Sequence, residues 1–172
     1  MIIDFHTHMF PDKIAARTID FLSKTGGDMN PFTDGTWKGL KESTKQAGID
    51  HSIVLSIATR PGQFHTINEF ATHFQEGTLI SFGSLHPESE NYKEELKQIQ
   101  DMGMKGIKLH PDYQDTYFND IRYKRIISYA TELGLIISVH AGQDPKCPDN
   151  IHCTPAMAEE VLNEVEPEKL VL

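Results

Sequence analysis

Six short runs rich in β-forming residues punctuate this chain at nearly regular intervals, and the stretches between them have helical spacing. The runs are Ile2–Phe5, Ser52–Ile57, Leu79–Leu85, Gly106–Leu109, Leu135–Val139 and Lys169–Leu172. After a longer first interval their starts fall roughly 27 to 34 residues apart, the length of one strand plus one helix. Phe64, Ile67, Phe70, Ala71 and Phe74 form one apolar stripe, and Tyr92, Leu96 and Ile99 a second. Ile126, Ile127, Ala130 and Leu133 form a third, and Val161, Leu162 and Val165 a fourth. Gly48, Gly77, Gly103 and Gly134 each follow a helical segment and precede a strand, where glycine supplies the left-handed C′ conformation. Thr154 followed by Pro155 reads as an N-cap with proline at the first helical position.

Strands apolar on both faces that alternate with helices imply a parallel sheet covered by helices. A doubly wound sheet should carry a Gly-rich turn after its first strand. Here that strand runs into His6-Thr7-His8, and no G-x-G-x-x-G or Walker motif occurs. The expected fold is therefore α/β of the (β/α)8 TIM-barrel type. About five and a half βα units are present, against roughly 250 residues for a whole barrel. Residues 1–172 are read as a single incomplete barrel domain, truncated at its C-terminal end. A loop and helix region is inserted at about 11–40, with a helix near Pro11–Ser23 and a Gly-rich stretch at Thr25–Gly39. In a barrel it lies on the C-terminal face of the strands, as a pocket wall or a plain surface excursion.

Composition excludes several classes. Sixteen Lys+Arg against 25 Asp+Glu give a formal charge of −9, with no basic cluster to hold nucleic-acid phosphates. No stretch is long and apolar enough for a membrane span, and no secretory signal opens the chain. Two cysteines, Cys147 and Cys153, are too few for a disulfide framework, so a reducing, cytoplasmic setting is expected.

The nine histidines are not scattered at random. His6, His8, His86, His110 and His140 all fall at the C-terminal end of an expected strand, where a barrel puts its chemistry. Residues i and i+2 of a strand share a face. With Ile3 and Phe5 turned to the helices, Asp4, His6 and His8 should face the interior. The same alternation turns Lys108, His110, Ser138 and His140 inward. Several imidazoles meeting in one cavity cannot all be protonated, and a divalent cation resolves the conflict by binding neutral ring nitrogens. Such ligands favour zinc, with manganese, iron or cobalt as alternatives, and an open position on the metal would activate water. His110 fits direct chemistry or support of it. His86, before Pro87, reads as a loop-start residue, and His51, His65 and His73 read as structural. Cys147, His152 and Cys153 share the loop after the fifth strand, which could line a pocket.

Three segments carry a family resemblance. Asp4-Phe5-His6-Thr7-His8, Gly106-Ile107-Lys108-Leu109-His110-Pro111 and Ser138-Val139-His140-Ala141-Gly142 resemble the amidohydrolase superfamily. The closest fit is its amidohydrolase 2 branch of metal-dependent TIM-barrel hydrolases and decarboxylases. The resemblance implies that His6, His8 and His140 are metal ligands in a site of one or two metals. It implies a part for Lys108, either carboxylated as a metal bridge or unmodified and binding a substrate carboxylate; Lys108 and, from its inward place on the fourth strand, His110 are the catalytic candidates. It also requires a sixth-strand histidine and an eighth-strand aspartate that this sequence lacks, so the chain alone is expected to be inactive.

The function expected on these grounds is hydrolysis of a C–N or C–O bond of a small molecule by metal-activated water. Non-oxidative decarboxylation is the alternative on the same scaffold. The D-x-H-x-H opening is also similar to the PHP and TatD-type metal phosphoesterases, and Ser84-Leu85-His86-Pro87 to the latter, although Lys108 stands where an acidic ligand would be needed. A non-catalytic binding module, with its open sheet edges covered by another chain or by self-association as a homo-oligomer, is the remaining class.

Overall fold

The computed structural model describes residues 1–26, 30–75 and 77–172. Residues 27–29 of the Gly-rich stretch lie outside the described residues. The elements are β1 (Ile3–Thr7), α1 (Asp12–Thr25), α2 (Trp37–Gln46), β2 (His51–Leu55), α3 (Phe64–His73) and β3 (Leu79–Phe82). They continue as α4 (Tyr92–Asp101), β4 (Gly106–Leu109), α5 (Ile121–Glu132), β5 (Ile136–Val139), α6 (Pro155–Val165) and β6 (Leu170–Val171). Of helix α2 the sequence reading carries only the closing Gly48 and no stripe, because Gly39 and the polar run Lys41–Gln46 leave Trp37 and Leu40 as its apolar markers.

The local signals behave as their chemistry dictates. Gly48, Gly77, Gly103 and Gly134 all take positive φ, between 60° and 81°. The Thr154 hydroxyl accepts the Met157 N–H, with Pro155 at the start of α6. Thr36 and Asp120 cap α2 and α5 in the same way.

All strand pairs are parallel and follow chain order, β1-β2-β3 and β4-β5-β6. Gly83 joins the two triplets. Its N–H donates to the Gly106 carbonyl at 2.9 Å, and its carbonyl accepts the Lys108 N–H at 2.8 Å. On one side of the sheet, Val54 and Leu79 pack with Leu40, Trp37, Phe70 and Phe74 of α2 and α3. Ile107, Leu109, Ile137 and Val139 pack on that side against Ile126, Ala130 and Val161 of α5 and α6. The opposite face carries Phe5, Ile53, Leu55, Ile80, Phe82 and Ile136, a cluster with no helical member among the described residues. Sequential strand order with helices on one face is the arc of a TIM-type barrel; a doubly wound sheet reverses its order and takes helices on both faces. Gly106 has no room for a side chain on the inner face, since a Cβ there would stand 2.5 Å from both the Ile136 carbonyl and the Phe82 ring.

The facing expected for β1 is corrected. Asp4 pairs with Ser52, whose hydroxyl meets Thr44 of α2, so Asp4 lies on the helical side. Phe5 is on the inner side, its ring 5.7 Å from Phe82. The cause is a β-bulge: the register moves from Asp4↔Ser52 to Thr7↔Val54, one residue longer on β1 than on β2. The extra residue resets the alternation, so Phe5 and His6 both turn inward, Thr7 turns to the helices and His8 turns back in.

Candidate metal centre

The strand ends gather five cationic or imidazole side chains at one mouth. His6 and His8 have ring centroids 5.1 Å apart. The His8 Nδ1 lies 2.8 Å from the Leu55 carbonyl oxygen. A carbonyl can only accept, so Nδ1 carries the proton and Nε2 keeps a free lone pair, the tautomer a metal ligand needs. His8 retains accessible surface, but the surrounding strand ends displace enough water, with His6 alongside, to hold its pKa down to about 4. His6 is lowered too, by burial first and then by Lys108 and His140.

Lys108, on the inner face of β4, is fully buried, and its Nζ has no hydrogen-bond partner. Burial alone lowers its pKa to about 8. His110, two residues on, is 5% exposed and lowered to about 2 by burial, then by His140, Lys108, His8 and His6. His140, just beyond β5, is also lowered, burial outweighing the opposing pull of Asp144 and Asp112. These rings are therefore neutral at pH 7, and their mutual influence places them around one opening.

The rings on β4 and β5 are held by stacking. Tyr113 lies on His110 at 3.9 Å, and His110 on His140 at 4.1 Å, with tilts of 15° and 5°. Within 4.8 Å of one another stand donor atoms of His110, His140 and Asp144, the group of three or more such ligands found among the described residues. The structure thus brings His6 to His8 and, separately, His110 to His140. It does not join His6, His8 and His140 in one such group.

Three residues that sequence reasoning did not single out build this region. Asp112 is buried, accepts from His152 Nδ1 at 3.0 Å, and leaves Oδ2 without a partner. Asp144 sits 3.7 Å from His140 Nε2 and 3.8 Å from His110 Nε2. Gln114 donates to the Ala58 and Leu85 carbonyls and accepts from the His110 N–H and the Tyr123 hydroxyl, tying three strand-end segments to helix α5. The available signal was spacing: Asp112 and Asp144 follow His110 and His140 by two and four residues. The remaining candidates lie elsewhere. His86 is buried, with Nδ1 accepting from the Glu88 N–H at 3.2 Å, as suits a loop start. His152 pairs with Asp112, and the Cys153 thiol is buried and raised to about 11.

A cavity of about 570 Å³ is lined by Phe10, Trp37, Phe70 and Phe74 on the helical side and shares no residue with this mouth. No described helix is long and apolar enough to cross a membrane.

Comparison with solved structures gives matches at low identity. The apo form of the Metarhizium anisopliae IDCase superposes with a TM-score of 0.69 at 14% identity, over 99% of this chain and 64% of that one. The Novosphingobium aromaticivorans 5-carboxyvanillate decarboxylase, complexed with manganese and 4-hydroxy-3-methoxy-5-nitrobenzoic acid, gives 0.65 at 13% identity over 87% and 53%. A probable 2-pyrone-4,6-dicarboxylic acid hydrolase from Acinetobacter baumannii, with citric acid bound, gives 0.54 at 13% identity over 81% and 49%. The chain spans about half to two thirds of the length of these structures. No curated protein matches the sequence significantly. The amidohydrolase family model matches residues 3–166, nearly the whole chain, and this protein therefore belongs to the amidohydrolase family.

Proposed function

We propose that the protein represents a metal-dependent hydrolase that cleaves a C–N or C–O bond of a small, carboxylate-bearing molecule. The observation that carries the reading is the convergence of four neutral imidazoles and one buried, unpartnered amine on a single mouth. His6, His8 and His140 are the residues that would hold a divalent metal. Their fit rests on two features: the His8 tautomer, which presents Nε2, and the buried His140 Nε2, which has no hydrogen-bond partner. When bound, such a metal supplies Lewis-acid polarisation and activation of water near neutral pH. The Lys108 ammonium, unpaired and inside, suits one carboxylate oxygen of a substrate and would orient it. His110, neutral at pH 7, can take a proton at one ring nitrogen and return it.

The same Lys108 feature favours a second reading, non-oxidative decarboxylation, because a buried cation beside a carboxylate is what holding that group in place requires. Two assays separate the readings. Metal-loaded protein, in a form that carries the sixth-strand histidine and eighth-strand aspartate that the resemblance requires, is offered lactones, amides, phosphomonoesters and aromatic carboxylic acids, with proton release and CO2 release followed in parallel. Turnover that disappears on chelation and in His6→Ala and His140→Ala supports a metal enzyme, and the product decides between hydrolysis and decarboxylation. Full turnover after chelation, or in His6→Ala, overturns the reading.

A further inference from the structure

The two buried carboxylates beside His140 are not used by that mechanism. Asp112 has a side chain with no exposed surface. Its Oδ1 is anchored by His152, through Nδ1 at 3.0 Å and the backbone N–H at 3.4 Å. Its Oδ2 is buried, has no hydrogen-bond partner, and points at His140 Nε2 from 3.8 Å. Asp144 Oδ2 stands 3.7 Å from the same nitrogen and 3.8 Å from His110 Nε2. The His140 Nε2 is itself buried and unpartnered. Three donor atoms, of His110, His140 and Asp144, thus lie within 4.8 Å of one another, and Asp112 Oδ2 flanks the His140 nitrogen.

Their separations have a meaning. A zinc ion binds nitrogen and oxygen at about 2.0–2.1 Å, so neighbouring ligands of a tetrahedron stand about 3.4 Å apart. The three nitrogen–oxygen edges, 3.7, 3.8 and 3.8 Å, each stand within a few tenths of an ångström of that value, and the donors of His110, His140 and Asp144 all lie within 4.8 Å of one another. His110 and His140 are stacked within 5° of parallel, so binding one ion through both ring-plane lone pairs tilts the rings apart, while His152 already fixes the Asp112 carboxylate. Two buried carboxylates set against one imidazole nitrogen call for positive charge beside them.

The geometry points to a second divalent-cation site, held by His110 Nε2, His140 Nε2 and Asp144 Oδ2 with Asp112 Oδ2 as the fourth donor. It rests on the reading above only in taking His140 as a metal ligand. His140 offers one nitrogen on this side, so a cation here and a cation held through that nitrogen with His6 and His8 exclude one another. A cation here also withdraws His110 from proton transfer.

Zinc alone is the probe, followed by calorimetric titration and by metal content after gel filtration. The double variant His6→Ala/His8→Ala removes the other ligand pair and should still bind one zinc, within about tenfold of the parent affinity. Adding Asp144→Asn to it should weaken zinc by about tenfold or more. Circular dichroism confirms folding of each variant. Should Asp144→Asn fail to fold, an anomalous-scattering map of zinc-soaked crystals of the double variant replaces it, with a peak at ligand distance from Asp144 Oδ2 expected. A folded double variant that binds no zinc overturns the second site and leaves the first reading standing. Undiminished zinc binding by the triple variant, or an anomalous peak away from Asp144, also overturns it. Zinc binding and turnover both surviving in the double variant would instead sink the first reading and not this one.

Discussion

Replacing Lys108 by methionine should make the protein more stable, by an amount that depends on pH. Methionine matches the unbranched stem and fills the same space without a charge. The Lys108 side chain is fully buried and its ammonium has no partner, so the fold works against its protonated form. It titrates at about 8 in the fold against 10.5 in the unfolded chain, and at ~1.36 kcal/mol per pKa unit this costs about 3 kcal/mol at pH 7. Between pH 8 and 10.5 the unfolded chain binds more protons than the folded one, so the parent gains stability as pH rises through that window. Lys108→Met lacks that gain. Urea unfolding of both proteins, with chelator and without bicarbonate so that the amine stays free of metal and carboxylation, gives the comparison. The variant should be about 3 kcal/mol more stable at pH 7 and less than about 1 kcal/mol more stable at pH 10.5. Other groups that titrate in this range cancel in the difference. An equal margin at both pH values, or a variant less stable at pH 7, refutes the claim that the amine is buried without compensation.

Gln114→Met removes four hydrogen bonds made inside the protein and strands two carbonyls, the His110 N–H and the Tyr123 hydroxyl; a loss of about 3 kcal/mol or more is expected in a denaturant melt. Gly106→Ala sets a methyl 2.5 Å from a backbone carbonyl and from the Phe82 ring, and should lower stability by about 1–3 kcal/mol, read as a fall in Tm. Acid should destabilise the metal-free protein early. The folded-state pKa of the buried His110 lies below the unfolded value of 6.5, so the unfolded chain takes up a proton first as pH falls through 6.5. That resistance to protonation steepens the decline by up to ~1.4 kcal/mol per pH unit, and His110→Asn should flatten it. Unfolding curves at intervals from pH 7.5 to 5 test this, and identical slopes for parent and variant would contradict it.

Periodicity was enough to read the architecture. Alternating β-runs and helical stripes, four of the helices followed by a glycine at positive φ, place every strand to within a few residues, because those signals act over one or two turns of chain. The same local logic marked Lys108, His110 and His140 as inward, since β4 and β5 are regular and alternation survives to their ends. Two things were decided by the tertiary structure. One was the facing of β1, where a bulge defined by its pairing with β2 brings Phe5 inside and leaves Asp4 outside; register belongs to the pair of strands, and no single strand contains it. The other was the set of partners around the imidazoles. Asp112, Gln114, Asp144 and His152 sit in loops whose course depends on packing across four strand ends, so their residue types were visible in the sequence while their meeting point was not.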